Sequence, residues 1–230
     1  MIRREIDRRV TASHPQKSQA AAPRVRRLAK RGRYDRATLD AILDAGLVCH
    51  IGFVHEDAPV VIPTLYWRNG SRVYWHGSRA SRMLRSIAGA RICLTVTHLD
   101  GLVLARSAFH HSANYRSAVL FGRAAELTDR AERLAQLEYL VESLYPGRWT
   151  ALRPVKPQEL AATRILYLEI SEFSAKVREG QNVEDRRDVD WPVWAGVIPL
   201  TLHAGIPQAD DPCADTQHSP PATPKLVGCS

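Results

Sequence analysis

A chain of 230 residues with 45% hydrophobic content can bury one ordinary core, or one core plus tails. Its formal net charge of +8 suggests nucleic-acid binding only until it is located: residues 1–36 hold twelve Lys/Arg against three Asp/Glu, which leaves 20 basic and 21 acidic groups elsewhere. No stretch approaches the roughly 18 apolar residues of a membrane span, and the N-terminus lacks the apolar core of a secretory signal, so a cytoplasmic protein without a membrane partner is expected.

Residues 1–24 are polar, basic and aperiodic, and read as a disordered arm. Such an arm suits nucleic acid or an anionic membrane as well as plain solvation. Solvation is the reading adopted, and no nucleic-acid partner is expected. The folded body is placed at 25–203. Residues 204–230, rich in Pro, Ala, Ser and Asp, read as a flexible tail.

Within the body, "DRATLDAILDAG" opens on a cap candidate, Asp35, and carries apolar residues at 39, 42 and 43 before Gly46. That spacing predicts a short amphipathic helix. Strand signals follow at 47–54, 59–67, 71–77, 91–100, 101–109, 116–127 and 164–178, with turn residues at "HEDA", at "NG" (69–70) and at "DG" (100–101). Helical spacing recurs at 80–87 and at 129–147, where Leu134, Leu137, Tyr139, Leu140, Val141, Leu144 and Tyr145 form a broad apolar face. Short strands joined by hairpins, with one long helix late in the chain, predict a mainly β fold with helices: a closed or partly closed antiparallel barrel plugged at its ends. Pro59 and Pro63 sit awkwardly in a central strand and fit better where one strand edge faces something other than a neighbour.

Four cysteines, Cys49, Cys93, Cys213 and Cys229, are scattered without a CxxC pair, so neither a disulfide framework nor a zinc site is indicated. Adjacent His110 and His111 point to opposite faces if they lie on a strand, and no Asp or Glu is near in sequence, so no metal site is assigned. The segment "WPVWAGVIPL" (191–200) is rigid and apolar, suited to packing on the core, on a second subunit, or over a ligand. The richest stretch is "YWHGSRASRML" (74–84). There a strand exits on His76, and Ser78, Arg79, Ser81 and Arg82 gather about a helix start. A helix start attracts anions through unpaired N–H groups, and arginine matches phosphate oxygens in two-point contact. An ordinary serine-capped helix with exposed arginines is the alternative.

The segments "YDRATLDAILDAGLVCHIGFV", "PVVIPTLYW", "VYWHGSRASRML", "DGLVLARSAFHHSANYRSAVLFGRA", "EFSAKVREG" and "PVWAGVIPL" together resemble the FMN-binding split-barrel superfamily. The branch is that of pyridoxamine 5′-phosphate oxidase-like proteins that includes the nitroimidazole-resistance reductases. The resemblance covers about residues 33–200. It implies a six-stranded antiparallel split barrel that forms a homodimer with FMN at the interface. It also implies that Ile62, Pro63, Thr64 and Leu65 run along the flavin ring, with the Trp75–His76 backbone at its edge. Ser78, Ser81 and Arg82 would hold the ribityl and phosphate groups, and Met83, Ser117, Lys176 and Trp194 would complete the surroundings.

Met83 stands where the oxidases carry a lysine, and Ser117 where they carry a glutamine. Arg186 and Arg187 lack the neighbouring histidine suited to pyridoxal phosphate. These departures argue against vitamin-B6 oxidation. His76 stands where the nitroimidazole branch has a histidine near its active site. The expected function is therefore an FMN-dependent oxidoreductase that takes electrons from a reduced nicotinamide to a small electron-poor molecule, with His76 as the candidate catalytic group. The alternatives are a flavin- or haem-binding carrier or sensor without turnover, and a deazaflavin-dependent reductase.

Overall fold

The computed structural model describes residues 24–208. The arm before residue 24 and the tail beyond 208 lie outside the described residues. In chain order the elements are β1 (Gly32–Arg33), α1 (Arg36–Asp44), β2 (Val48–His55), β3 (Ala58–Asn69), β4 (Arg72–Ser78), α2 (Arg82–Ile87), β5 (Arg91–Leu104), β6 (Ser112–Arg123), β7 (Ala125–Glu126), α3 (Arg130–Leu144), α4 (Arg148–Ala151), α5 (Pro157–Ala162), β8 (Thr163–Glu169), β9 (Glu172–Arg178) and β10 (Gly196–Pro199).

All strand pairs are antiparallel, in the order β1-β9-β6-β5-β2-β3-β4-β8-β7, with β10 added to β5 at the edge that β2 leaves free. The sheet curls so that one face closes on itself. Ile51, Trp75, Leu94, Leu120 and Leu166 are completely buried in the resulting interior. Closure brings β8 against β6 at Gly122. A Cβ there would meet Leu168 Cδ1 at 2.7 Å, so only glycine lets the two walls approach this closely.

The α1 helix plugs one end of the barrel. Asp35 caps it by accepting from the Thr38 amide at 2.8 Å, and Leu39, Ile42 and Leu43 bury its apolar stripe. Two side chains of the barrel bond carbonyls in its last turn. Tyr66 Oη donates to Leu43 O at 2.6 Å, and His98 Nε2 lies 2.9 Å from Ile42 O.

A second cluster, Trp67, Tyr74, Leu127, Leu140 and Ile165, forms where α3 covers the outer surface of β3, β4 and β8. The apolar face of α3 is narrower than the sequence suggests. Leu134 and Tyr139 are 38% and 40% exposed, whereas the polar Gln136 is buried because its Oε1 accepts from Trp67 Nε1 at 3.1 Å. Its partner, supplied by a distant strand, reverses the ordinary polarity rule.

Two strand boundaries also differ from expectation. "DG" at 100–101 is no hairpin turn. It is a register shift inside one 14-residue strand, β5, against β6. The run 164–178 is two strands, β8 and β9, which part at Ile170–Ser171 and join opposite ends of the sheet. Local composition is identical in these cases; only the partner strands distinguish them.

Candidate functional site

The strand β3 changes partners along its length. Residues 58–65 pair with β2, and residues 66–69 pair with β4. The other edge of residues 58–65 therefore meets no strand among the described residues. Pro59 and Pro63 lie in that half, which explains how two residues without an N–H are accommodated in a 12-residue strand. Ile62, Pro63, Thr64 and Leu65 all belong to this open-edged half. Ile62 leans on the barrel core and Leu65 on the outer cluster, so the two residues address opposite faces.

Beside this edge β4 runs out into α2. Ser81 caps the helix, its Oγ accepting from the Leu84 amide at 3.4 Å, and Ser78 Oγ accepts from the Ala80 amide at 3.2 Å. Both hydroxyls keep their own hydrogen free to donate outward. The guanidinium groups of Arg79, Arg82 and Arg85 are exposed, and none has an ion-pair partner among the described residues. Arg82 and Arg85 converge with Ser86, His55 and Glu56 on an open pocket of about 480 Å³. Two arginine guanidiniums against one acid make a pocket suited to an oxyanion. Arg82 is legible in the sequence, and Arg85 is signalled by its i,i+3 spacing from Arg82, whereas only the β2–β3 hairpin brings in His55.

That hairpin turns through Glu56 and Asp57, at φ 48° and 62°. Two successive left-handed residues make the tight turn that Asn-Gly usually provides, and non-glycine residues there carry strain of about 1–3 kcal/mol each. Replacing Asp57 by glycine is expected to stabilise the fold by about 1 kcal/mol after the entropic cost of glycine. For a domain of this size that is a rise in Tm of about 2–4 °C, read by calorimetry. No gain would show that the turn is unstrained.

His76 lies on the outer face of β4, against Trp67 of the α3 cluster. Its ring is 5.9 Å from Trp67, tilted by 56°, and its strand partner is the fully buried Ile165. The residue is half-buried, and its Nδ1 is buried without a hydrogen-bond partner. Burial holds the imidazole below its ordinary pKa, so it is neutral at pH 7 with a nitrogen lone pair available. Most other described histidines have polar neighbours. His98 and His111 bond backbone carbonyls, His110 and His55 face carboxylates, and His203 meets Thr201. His50 is exposed on β2 without a partner. A half-buried, neutral imidazole with an unpartnered nitrogen could serve as a ligand to haem iron.

The remaining expected site residues separate. The Trp75 side chain is completely buried in the barrel interior, so only its backbone can face a ligand, and Met83 packs against the same core. Ser117 and Lys176 are opposite each other on β6 and β9, with Ser117 Oγ 3.5 Å from Lys176 O. They lie on the β6–β9 pair, whereas His76 lies on β4, which pairs with β3 and β8. Trp194 is 62% exposed in the segment leading to β10. Arg106 anchors this segment through Glu184 at 2.6 Å and through Trp191 O at 3.3 Å. Within one chain Pro63 and Leu65 lie on the open-edged half of β3, His76 and Ser78 on β4, Ser81 and Arg82 at the start of α2, Ser117 on β6, Lys176 on β9, and Trp194 just before β10.

No curated protein matches the chain. Among solved structures, the flavocytochrome Anf3 from Azotobacter vinelandii is 44% identical, with a TM-score of 0.80 over 86% of this chain and 92% of that one. An FAD and haem binding protein from Mycobacterium smegmatis is 37% identical, with a TM-score of 0.79 over 83% of this chain and 94% of its own. A candidate 5-nitroimidazole antibiotic resistance protein from Bacteroides thetaiotaomicron shares the fold at 17% identity and a TM-score of 0.52, over 64% and 86% of the two chains. The family model described as pyridoxamine 5′-phosphate oxidase matches residues 35–177. This match takes in the barrel from α1 to β9, and the chain belongs to the pyridoxamine 5′-phosphate oxidase family.

Proposed function

We propose that this protein is a flavin- and haem-binding redox protein that takes electrons from a reduced nicotinamide and delivers them to a small acceptor. The observation that carries the reading is the neutral, unpartnered His76 on the strand that runs out into the helix bearing Arg82 and Arg85 of the basic pocket. Two relatives that align over most of their length are named for a flavocytochrome and for binding FAD and haem, which supports the pairing of cofactors. FMN, the flavin implied by the sequence resemblance, and FAD both present phosphate oxygens to such a pocket.

When bound, the flavin supplies two-electron exchange with a hydride donor and one-electron exchange with a haem. The chain's own residues supply the rest. Arg82 and Arg85 hold phosphate by charge-assisted hydrogen bonds, with Ser81 Oγ as a further donor. The open edge of β3 at Ile62–Leu65 offers backbone groups to a planar heteroatom ring. Trp67, packed against the His76 ring, keeps water from it, which preserves its neutral form. We also propose a homodimer. The outer face of β2 and β3 exposes Val48, Val54 and Val61 by 50–70%, an apolar surface that a second copy would cover.

The visible spectrum of the purified protein and the mass of its extracted cofactors test the reading. Flavin bands, a Soret band and bleaching by a reduced nicotinamide are expected. Flavin bands with no Soret band would leave a plain flavin reductase, and cofactors that never bleach would leave a carrier or sensor. The pocket has its own test. Arg82→Ala is expected to weaken FMN by about ten- to a hundred-fold while barely changing riboflavin, which lacks phosphate. Equal losses for both would remove Arg82 as a phosphate ligand.

A further inference from the structure

Arg178, the last residue of β9, is 8% exposed. One of its terminal nitrogens donates to Asn114 Oδ1, but its Nε is buried without an acceptor, and no carboxylate pairs with it among the described residues. Arg68 and Arg116 set the contrast, because each is part-buried and clamps a carboxylate, Asp44 and Asp100 respectively. Burial, and then the second cation Arg31 within electrostatic reach, disfavour the charge of Arg178, while Tyr115 favours it. The pairing of β1 with β9 sets Gly32 opposite Lys176, and so brings the basic run Lys30, Arg31, Arg33 to this corner. Arg33 is spent on the carbonyls of Lys30 and Gly32. A buried guanidinium without a counter-charge is among the most costly arrangements a fold can hold, and proteins that keep one hold an anion against it.

We propose that the corner between Arg178 and Arg31 is a second oxyanion site, one that takes a phosphate group. Guanidinium offers two-point hydrogen bonds to phosphate oxygens, and Arg178 Nε with its remaining terminal nitrogen is the free pair. The site is separate from the Arg82–Arg85 pocket of the same chain, whose lining includes neither Arg178 nor Arg31. The phosphate has two possible sources, a free phosphate compound or the flavin held by a second copy. The second source rests on the function proposed above.

The test uses the protein as isolated, with Arg178→Gln and the half-buried Arg31→Gln beside the parent. Thermal unfolding is followed against inorganic phosphate and against chloride at matched ionic strength, and flavin retention is measured by dialysis. If the source is free phosphate, saturation raises the parent's Tm by about 5–10 °C over chloride, and either substitution removes most of that rise. If the source is the second copy's flavin, the parent ignores added phosphate. The substitutions then weaken retention of FMN or FAD at least tenfold, and leave riboflavin unchanged. Variants that match the parent in both phosphate response and flavin retention would overturn the proposal, as would variants that only separate the subunits. Arg31→Gln keeps the test valid if Arg178→Gln does not fold. Absence of flavin and haem from the parent would refute the proposed function, while the phosphate arm would still decide this site.

Discussion

Replacing Gly46 by alanine lowers the stability of this protein by about 2–4 kcal/mol. An added Cβ would sit 2.4 Å from Tyr66 Oη and 3.1 Å from both His98 Cε1 and Val96 Cγ1. Tyr66 is 2% exposed and its hydroxyl is committed to Leu43 O, so it has no room to withdraw. Overpacking of a closed core costs about 1–3 kcal/mol, and forfeiting a buried hydrogen bond costs a similar amount. For a domain of this length the loss is a fall in Tm of about 5–15 °C. The cause is separable from general damage. In a Tyr66→Phe background the clashing oxygen is gone, so the same Gly46→Ala change is expected to cost at least 1 kcal/mol less. A Gly46→Ala protein within about 0.5 kcal/mol of the parent, or additive losses in the double variant, would refute the account.

Gly46 illustrates what the sequence makes legible. As the residue that ends a helix it is readable from its place after the apolar stripe of 39, 42 and 43. As the residue that makes room for Tyr66 it is not, because Tyr66 arrives from β3 through the barrel's closure. The same division runs through the fold. Alternation and turn residues locate β2, β3 and β4 to within a residue or two, since each strand carries one buried face. They fail at Asp100–Gly101 and at Ile170–Ser171. A bulge and a hairpin turn use the same residues, and a change of partner strand leaves no local mark.

The candidate site divides in the same way. Ser81 and Arg82 are visible as a capped helix start with a cation, and Pro59 and Pro63 are visible as misfits in a strand. The open edge that reconciles them follows from β3 exchanging β2 for β4, which is a matter of topology. Arg178 escapes notice altogether. In sequence it is one more basic residue in "KVREG", and its missing counter-ion is evident only once β1 and β6 are placed around it.

His76→Ala is expected to strip the haem signal and leave the flavin in place. The imidazole lies in an apolar niche with an unpartnered buried nitrogen, and burial keeps it neutral, the form that binds iron. Loss of a supporting group around a metal ligand costs about ten- to a hundred-fold in affinity, so loss of the ligand itself should cost at least about a hundred-fold. Added imidazole should restore part of the Soret intensity in the alanine variant, because the niche and its apolar walls remain. The pH dependence of the cofactor-free protein gives a second reading. The folded pKa of His76 lies below its unfolded value of about 6.5, so the unfolded chain binds the extra proton first as pH falls. The His76 contribution is therefore complete above pH 6.5 and fades as pH drops from there toward the folded pKa. The alanine variant should lack that acid-side loss. An unchanged Soret band in His76→Ala would end the ligand role and return His76 to a packing or proton-donating one. Loss of flavin together with haem, and with a general fall in Tm, would mean that the ring only supports the fold beside Trp67.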